Sequence, residues 1–244
     1  MSGQIANNIA HIHREIANCC ALFGRDPSRV LLLAVSKTVH VAGVLDAVAA
    51  GVRSFGENYV QEGVEKMLTL RELEPGISGS LQWHLIGPLQ SNKTRVVAEH
   101  FDWVHTIDRV KIAQRLSEQR PVNLPPLQVL LQINVDGSTH KSGIAPGDAL
   151  DLALAVSALP QLRLRGLMSM PDPQADAKKT QELYSQVREL MGRINQHPHF
   201  AREPLDTLSM GMSGDMCEAI AAGATMVRIG RGVFGIRPVQ GYAK

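Results

Sequence analysis

A lysine near the start of the chain directly follows a nearly continuous apolar run. Residues 30–36 read VLLLAVS, and Lys37 comes next. An amine at the edge of an apolar environment loses hydration, which lowers its pKa and favours the neutral, nucleophilic form. Schiff-base formation with an aldehyde requires that form. Lys37 is therefore a candidate nucleophile. The alternative interpretation is a lysine whose ammonium group stays in solvent just past the end of a strand.

Two segments near the C-terminus have the glycine and serine content of phosphate-binding loops. Residues 209–214 read SMGMSG and precede a predicted helix, and residues 230–232 read GRG and precede another. Backbone N–H groups at helix N-termini bind phosphate, and glycine lets the phosphate approach closely. Ordinary turn glycines and capping serines are the alternative. Combined with Lys37, these segments indicate a phosphorylated aldehyde or ketone held by a lysine.

Arg228 helps to distinguish the two classes of protein that use such chemistry, a pyridoxal phosphate protein and a lysine-dependent aldolase. It lies two residues before Gly230 on a predicted strand, so it should point into the same site. An arginine is always protonated. It could donate a hydrogen bond to the pyridine nitrogen of pyridoxal phosphate (PLP) and keep that nitrogen unprotonated. A sugar-phosphate aldolase has no obvious need for this, and it would place its lysine on the sixth strand, where this chain has none.

Three histidines, His84, His105 and His140, are candidate acid–base groups, because an imidazole changes charge near neutral pH. Each could instead be a structural or surface histidine. Their spacing matches no zinc site, and no carboxylate cluster indicates magnesium or zinc. PLP is therefore the one cofactor that we expect.

Strand-like and helical segments alternate along the chain, which predicts a parallel sheet with right-handed crossovers. A closed (β/α)8 TIM barrel, an α/β fold, suits eight such units better than an open doubly wound sheet, and no Gly-x-Gly-x-x-Gly motif follows the first strand. We expect an additional N-terminal helix over 5–23, covering the bottom or the flank of the barrel, and one domain over residues 1–244. The eight predicted strands are 30–37, 53–58, 81–87, 101–108, 127–135, 162–170, 205–211 and 225–230.

Composition and charge exclude several other classes of protein. The net charge of the 244 residues is +2, which argues against a nucleic-acid or membrane partner. The N-terminus does not resemble a signal peptide, and no stretch approaches the roughly 18 apolar residues of a membrane helix. The sparse, irregularly spaced cysteines Cys19, Cys20 and Cys217 are expected to be reduced thiols. These observations predict a cytoplasmic protein.

Eight motifs, in the expected order from about residue 30 to 236, resemble those of the pyridoxal phosphate homeostasis protein family, small proteins related to the barrel domain of alanine racemase. The resemblance implies a fold-type III PLP-binding barrel that carries PLP as a Schiff base on Lys37. The motifs are AVSKT (34–38), FGENYVQE (55–62), WHLIGPLQSNK (83–93), HTIDR (105–109), KSGI (141–144), RGLMSM (165–170), LSMGMSGDMCEAI (208–220) and VRIGRGVFG (227–235).

The resemblance also implies a set of cofactor-binding residues. Arg228 matches the arginine that faces the pyridine nitrogen, and either Ser209 or Ser213 could make the closer phosphate contact. Arg231 stands where small residues are expected after the VRIG pattern. The full set is Lys37 for the Schiff base, Asn58 and His84 along the cofactor, Ser209, Met210 and Ser213 in one phosphate loop, Arg228, and Gly230 and Arg231 in the second phosphate loop.

We expect a carrier of PLP in vitamin B6 homeostasis without catalytic residues, and the alternative is an amino acid racemase-like enzyme. Alanine racemases use a tyrosine base from a second, mostly β domain, and a chain that ends at Lys244 leaves no room for one. Tyr59, Tyr184 and Tyr242 do not occur in a comparable context. Without a second base, two-sided proton transfer lacks a partner. The expected partners are PLP and apo-enzymes that depend on it, and the expected state is a monomer.

Overall fold

Eight parallel strands close into a barrel in chain order, with the first strand paired to the last. A computed structural model describes residues 2–138, 140–173 and 176–235 of the chain. The closed barrel confirms the predicted (β/α)8 fold, and the open sheet is wrong. The extent of the domain over 1–244 stays a prediction. The strands are β1 Leu31–Val35, β2 Ser54–Glu57, β3 Gln82–Leu85, β4 Trp103–Ile107, β5 Leu127–Ile133, β6 Leu162–Ser169, β7 Thr207–Ser209 and β8 Met226–Ile229.

Helices follow the strands and cover the outside of the barrel. The connection between Leu73 and Gln82 contains one short helix. Of the helices in the described ranges, none has the length and apolar character needed to cross a membrane. The helices are α1 Ser2–Leu22, α2 Val41–Ala49, α3 Val60–Leu73, α4 Pro75–Ser78, α5 Thr94–His100, α6 Val110–Gln119, α7 Ala149–Ser157, α8 Ala177–Asn195, α9 Met216–Ala221 and α10 Arg231–Phe234.

The main hydrophobic core includes strand residues such as Leu32 and Phe55 together with helix residues such as Val44 and Leu116. Trp103, Leu130 and Met168 form a separate small cluster. The strands read as apolar runs because they are buried on both faces, as in other parallel sheets. Polar side chains are buried as well, among them His84, His105, Ser209 and Arg228.

The N-terminal helix packs on the flank of the barrel, against α2, α9 and α10. Its stripe of Ile9, Ile12 and Ile16 is buried, as the periodicity predicts. Asn8 Nδ2 donates to the Val233 carbonyl at 3.0 Å, and Arg25 Nη1 donates to the Ile220 carbonyl at 2.7 Å. Both acceptor carbonyls lie near the C-terminal ends of short helices, Val233 in α10 and Ile220 in α9, and the Ile220 carbonyl also accepts from the Gly223 N–H at 3.0 Å. Helix α1 thus holds the last two βα units in place.

A β-bulge in β6 sets which of its side chains face inward. The register with β5 shifts between Val129 and Leu130, next to Gly166. Gly166 has φ 158°, and a Cβ there would lie 1.9 Å from the Thr207 carbonyl oxygen. Only glycine permits this approach of β6 to β7. Beyond the bulge, Met168 is buried in the cluster with Trp103 and Leu130.

Cys19 on α1 and Cys217 on α9 form a disulfide, with their Cα atoms 5.4 Å apart. The prediction that all three cysteines are reduced is therefore wrong for this pair. Cys20 remains a buried thiol, and burial raises the pKa of that thiol. The pair is separated by 198 residues and meets only because α1 packs on α9, which sequence spacing does not reveal. Cysteine content consequently gives no support to the predicted cytoplasmic location.

We expect Cys19→Ser to lower the free energy of unfolding by about 2–4 kcal/mol, because the disulfide restricts the unfolded chain over a long loop. Urea denaturation without reductant measures the change. Wild-type protein in reductant is the matched control and should resemble the variant. Three titratable thiols instead of one in the denatured, unreduced protein would contradict the pairing.

Candidate functional site

A cavity of about 810 Å³ lies at the C-terminal ends of the strands, the edge where barrel enzymes place their sites. Residues that follow several different strands form its wall, so the closed sheet brings together side chains that are distant in the sequence. Two thirds of the predicted site residues line this one cavity: Lys37, Asn58, Ser213, Arg228, Gly230 and Arg231.

The remaining three predicted residues lie inside the barrel without lining the cavity. His84, Ser209 and Met210 are each fully buried. Met210 packs in the hydrophobic core, and its backbone N–H donates to the Met226 carbonyl at 3.1 Å. That N–H is used by the sheet, so the prediction of Met210 as a phosphate contact does not fit. Between the two serines, Ser213 is the one at the cavity wall.

Arg228 is a buried cation at the inner end of the cavity. Its Nη1 donates to the carbonyl oxygen and the Oγ of Ser209 at 2.6 and 2.9 Å, and its Nη2 donates to the Ser169 carbonyl at 3.0 Å. These bonds use three of the five guanidinium N–H groups. Within the described ranges, no carboxylate lies within 4.0 Å of it. Burial lowers its pKa, an effect that the Asp215 carboxylate partly offsets, and the buried cation favours an electron-rich ligand atom in the cavity.

Two neutral histidines connect to this arginine through Ser209. His105 Nδ1 lies 3.0 Å from Ser209 Oγ, and His105 Nε2 lies 3.0 Å from His84 Nδ1. Burial lowers the pKa of His84 to about 3. Burial, His84 and the Arg228 charge together lower the pKa of His105 well below its usual value. The His84 ring stacks on Trp103. Both histidines thus support Arg228, and their burial removes them from acid–base work in the cavity.

Lys37 and Asn58 reach the cavity wall from the ends of β1 and β2. A turn follows β1, in which the Val39 N–H donates to the Ser36 carbonyl at 3.0 Å, with Lys37 as its second residue. Asn58 is fixed by close contact with Gly87, where a Cβ would lie 2.1 Å from the Asn58 carbonyl oxygen. The chain therefore requires glycine at position 87 to keep Asn58 at the wall.

Asp215 organises the predicted phosphate loop after β7. Its Oδ1 accepts from the Met212 N–H at 2.5 Å, and its Oδ2 accepts from the Tyr184 hydroxyl at 2.8 Å. Burial and the Asp215 carboxylate raise the pKa of Tyr184. Ser213 and Gly214 lie between these anchor points at the cavity wall, and their backbone N–H groups donate to no described residue. These N–H groups are available to an anion. They belong to the loop before α9, which begins at Met216, and not to the helix itself.

The loop after β8 adjoins the first. Gly230 and Arg231 line the cavity, and a Cβ on Gly232 would lie 3.7 Å from Ser213 Oγ. The helix that begins at Arg231 has 4 residues, so its dipole contributes little. Anion binding here depends on the individual N–H groups and on the Arg231 charge.

Comparisons with known proteins identify the family. Residues 4–238 match the model of the family "Alanine racemase, N-terminal domain". The pyridoxal phosphate homeostasis protein of Vibrio cholerae is 56% identical over 96% of both chains, and that of Escherichia coli K12 is 52% identical over 96% of this chain and 97% of the relative. The chain belongs to the pyridoxal phosphate homeostasis protein family.

A solved member of this family has a similar structure. PipY of Synechococcus elongatus PCC7942 is 38% identical in sequence, and the match covers 95% of this chain and 100% of PipY. Its structure without PLP gives a TM-score of 0.81. The structure of PipY with PLP bound gives a TM-score of 0.78. Alanine racemase from Corynebacterium glutamicum, at 18% identity and a TM-score of 0.67 over 99% of this chain and 63% of the racemase, shows the shared fold alone.

Several residues that line the cavity of this chain were not predicted as site residues. Thr106 lies near the C-terminal end of β4, and polar residues at strand ends indicate a site in a barrel. Its position in the strand could therefore have identified it. Asp215 follows the glycine-rich loop, and a negative carboxylate next to a phosphate would be repelled by it. Its role became clear only from its hydrogen bonds to Met212 and Tyr184, which hold the loop in place. Lys141 and Met168 lie in the KSGI and RGLMSM motifs, but no role was assigned to them, because their approach to the cavity depends on loop conformation and on strand register. Gln132 also depends on strand register, and no motif includes it.

We expect the free energy of unfolding to fall as the pH drops from 7 towards 4. The unfolded chain binds protons on His84 and His105 near pH 6.5, whereas the folded chain does not, so stability rises with pH in this window. Each histidine contributes up to about 1.4 kcal/mol per pH unit. Urea denaturation at several pH values measures the slope.

His84→Asn should reduce that slope, while His13→Asn on the exposed face of α1 is the matched control and should not. An equal slope in wild type and both variants would show that the buried pair is not responsible.

Proposed function

We propose that the chain binds PLP in the cavity as a Schiff base on Lys37 and keeps the cofactor in supply without catalytic turnover. The central observation is that Lys37 and the buried Arg228, which lacks a carboxylate partner among the described residues, share one cavity with two anion-accepting loops. The names of the relatives and the PLP-bound structure of PipY support the same ligand.

The residues present fit PLP chemically. The cofactor supplies an aldehyde that condenses with a primary amine, and Lys37 provides that amine. Arg228 has N–H groups left to donate to the pyridine nitrogen, while the N–H groups of Ser213 and Gly214 are available to the phosphate. His84 and Ser209 act through Arg228. The proposed direct contacts are Lys37, Asn58, Ser213, Gly214, Arg228, Gly230 and Arg231.

The character of the site supports a carrier over a racemase-like enzyme. Among the described residues no tyrosine lines the cavity, since Tyr59 is exposed and the buried Tyr184 holds Asp215. Tyr242 lies outside the described residues. A hydrogen bond from Arg228 keeps the pyridine nitrogen unprotonated and weakens PLP as an electron sink. Amino acid racemisation no faster than with free PLP is the expected result, and faster turnover would favour the enzyme.

Delivery to apo-enzymes is part of the proposal. Lys37 is partly exposed at the cavity wall, so an incoming amine can reach it from solvent. PLP-dependent apo-enzymes are the partners that would use such a store. The monomeric state and the cytoplasmic location stay predictions, and sedimentation analysis tests the first.

We expect Lys37→Ala to abolish the yellow, borohydride-reducible adduct and to retain weaker binding anchored by the phosphate. Absorption spectra before and after reduction, followed by peptide mapping, locate the adduct. Lys141→Ala is the matched control, because Lys141 also lines the cavity but binds Asp172 and the Met170 carbonyl. An adduct that maps to Lys141, or persists in Lys37→Ala, would contradict the assignment.

Arg228→Gln is expected to shift the visible absorption band of bound PLP, because the variant changes the hydrogen bond to the pyridine nitrogen. The band position is recorded together with the melting temperature. Arg163→Gln, at an exposed position of β6, is the control and should leave the band unchanged. A folded Arg228→Gln protein with an unshifted band would refute the proposed contact.

A further inference from the structure

The turn that presents Lys37 contains a residue in an unfavourable backbone conformation. Thr38, the third residue of the turn, has φ 59°, and it is the one non-glycine residue with a positive φ among those described. A β-branched side chain makes this left-handed conformation costly, by about tenfold or more in a conformational equilibrium. Other contacts must therefore hold the turn.

Helix α3 supplies contacts on both sides of Lys37. The Thr38 N–H donates to Glu62 Oε1, and Lys66 Nζ donates to the Ser36 carbonyl at 2.6 Å. Glu62 and Lys66 are four residues apart, on one face of the helix, and pair at 2.6 Å. The residues before and after Lys37 are thus tied to one rigid element.

Lys66 is a fully bonded, buried cation. Its three ammonium donors reach the Ser36 carbonyl, Glu57 Oε1 at 2.8 Å and Glu62 Oε1 at 2.6 Å. Ser36 Oγ donates to the same Glu57 oxygen at 2.7 Å. The Lys66 side chain is 7% exposed and that of Glu57 is fully buried, so each charge has given up most of its hydration. The network connects α3, β2 and the turn after β1.

Anchoring of the helix does not explain these buried charges. Val60, Met67 and Leu70 already bury the apolar face of α3 in the core. Ion pairs in such places usually add little stability compared with apolar packing, so stabilising the helix is a weak explanation for the network. The shared feature of its contacts is the backbone on either side of Lys37.

We propose that Glu62 and Lys66, supported by Glu57, are positioning residues for Lys37. They hold the 36–39 turn in its strained form and so direct the amine into the cavity. The Schiff base on Lys37 belongs to the proposed function above, on which this inference rests.

Glu62→Ala removes the acceptor of the Thr38 N–H and should slow Schiff-base formation with PLP about tenfold. In the ligand-free protein, it should also speed hydrogen exchange of the Thr38 amide. Glu62→Gln keeps an oxygen at the same place and should restore most of the rate. Glu65→Ala, at an exposed position of the same helix, is the matched control and should match wild type.

Thr38→Gly distinguishes positioning of the turn from a general structural role of Glu62. Glycine adopts a positive φ without penalty, so the turn needs less support. The loss of rate caused by Glu62→Ala should therefore shrink in the Thr38→Gly background. Equal losses in both backgrounds would overturn the positioning role.

The remaining outcomes separate this inference from the proposed function. A wild-type protein that forms no reducible adduct on Lys37 refutes the proposed function. A wild-type adduct with an unchanged rate in Glu62→Ala refutes only the positioning role. If Glu62→Ala does not fold, Glu62→Asp tests the same point, because it keeps the charge but withdraws the oxygen by one methylene, and an unchanged rate would again refute the role.

Discussion

Pairing of β1 with β8 closes the barrel, and the candidate site depends on this closure. Leu33 lies opposite Arg228 in the register, so the C-terminal ends of the first and last strands meet at one edge. Lys37 follows one of these strands, and the loop from Gly230 follows the other. Without the closure, the amine and the second anion-accepting loop would lie at opposite ends of an open sheet. The disulfide from α1 to α9 and the packing of α1 reinforce the same junction.

Two buried cations near the cavity are accommodated in opposite ways, and the difference separates their roles. Lys66 is surrounded by two carboxylates and a carbonyl, so its bonding capacity is filled and it can only support structure. Arg228 donates to two carbonyl oxygens and one hydroxyl oxygen. No carboxylate of the described residues lies within 4.0 Å of it. His84 and His105 stay neutral, so they add no further positive charge beside Arg228. A ligand atom that accepts a hydrogen bond is the partner that such a charge lacks.

The fold and the general position of the site could be predicted from the sequence. Strands buried on both faces of a parallel sheet are largely apolar, so runs such as VLLLAVS (30–36) and LQVLLQINV (127–135) were visible between helical segments. The short β2, SFGE, is not an apolar run and was placed by the alternation of strands and helices. Parallel strands also place their C-terminal ends at one edge, so residues after the runs could be assigned to a common site. Lys37, Ser213 and Arg228 were found in this way, because each lies at or near a strand end, whereas Asn58 was assigned to the site through the family resemblance.

The support of these residues comes from long-range contacts that could not be predicted. Glu62 contacts Thr38 across 24 residues, and Cys19 pairs with Cys217 across 198. Such contacts depend on the rotation of a helix about its axis and on which helices pack together, and local periodicity fixes neither. The same reason explains Met210, whose place in the core follows from the register of β7 with β8. Sequence spacing thus locates chemistry at strand ends, whereas long-range packing sets the hydrogen bonds that orient it.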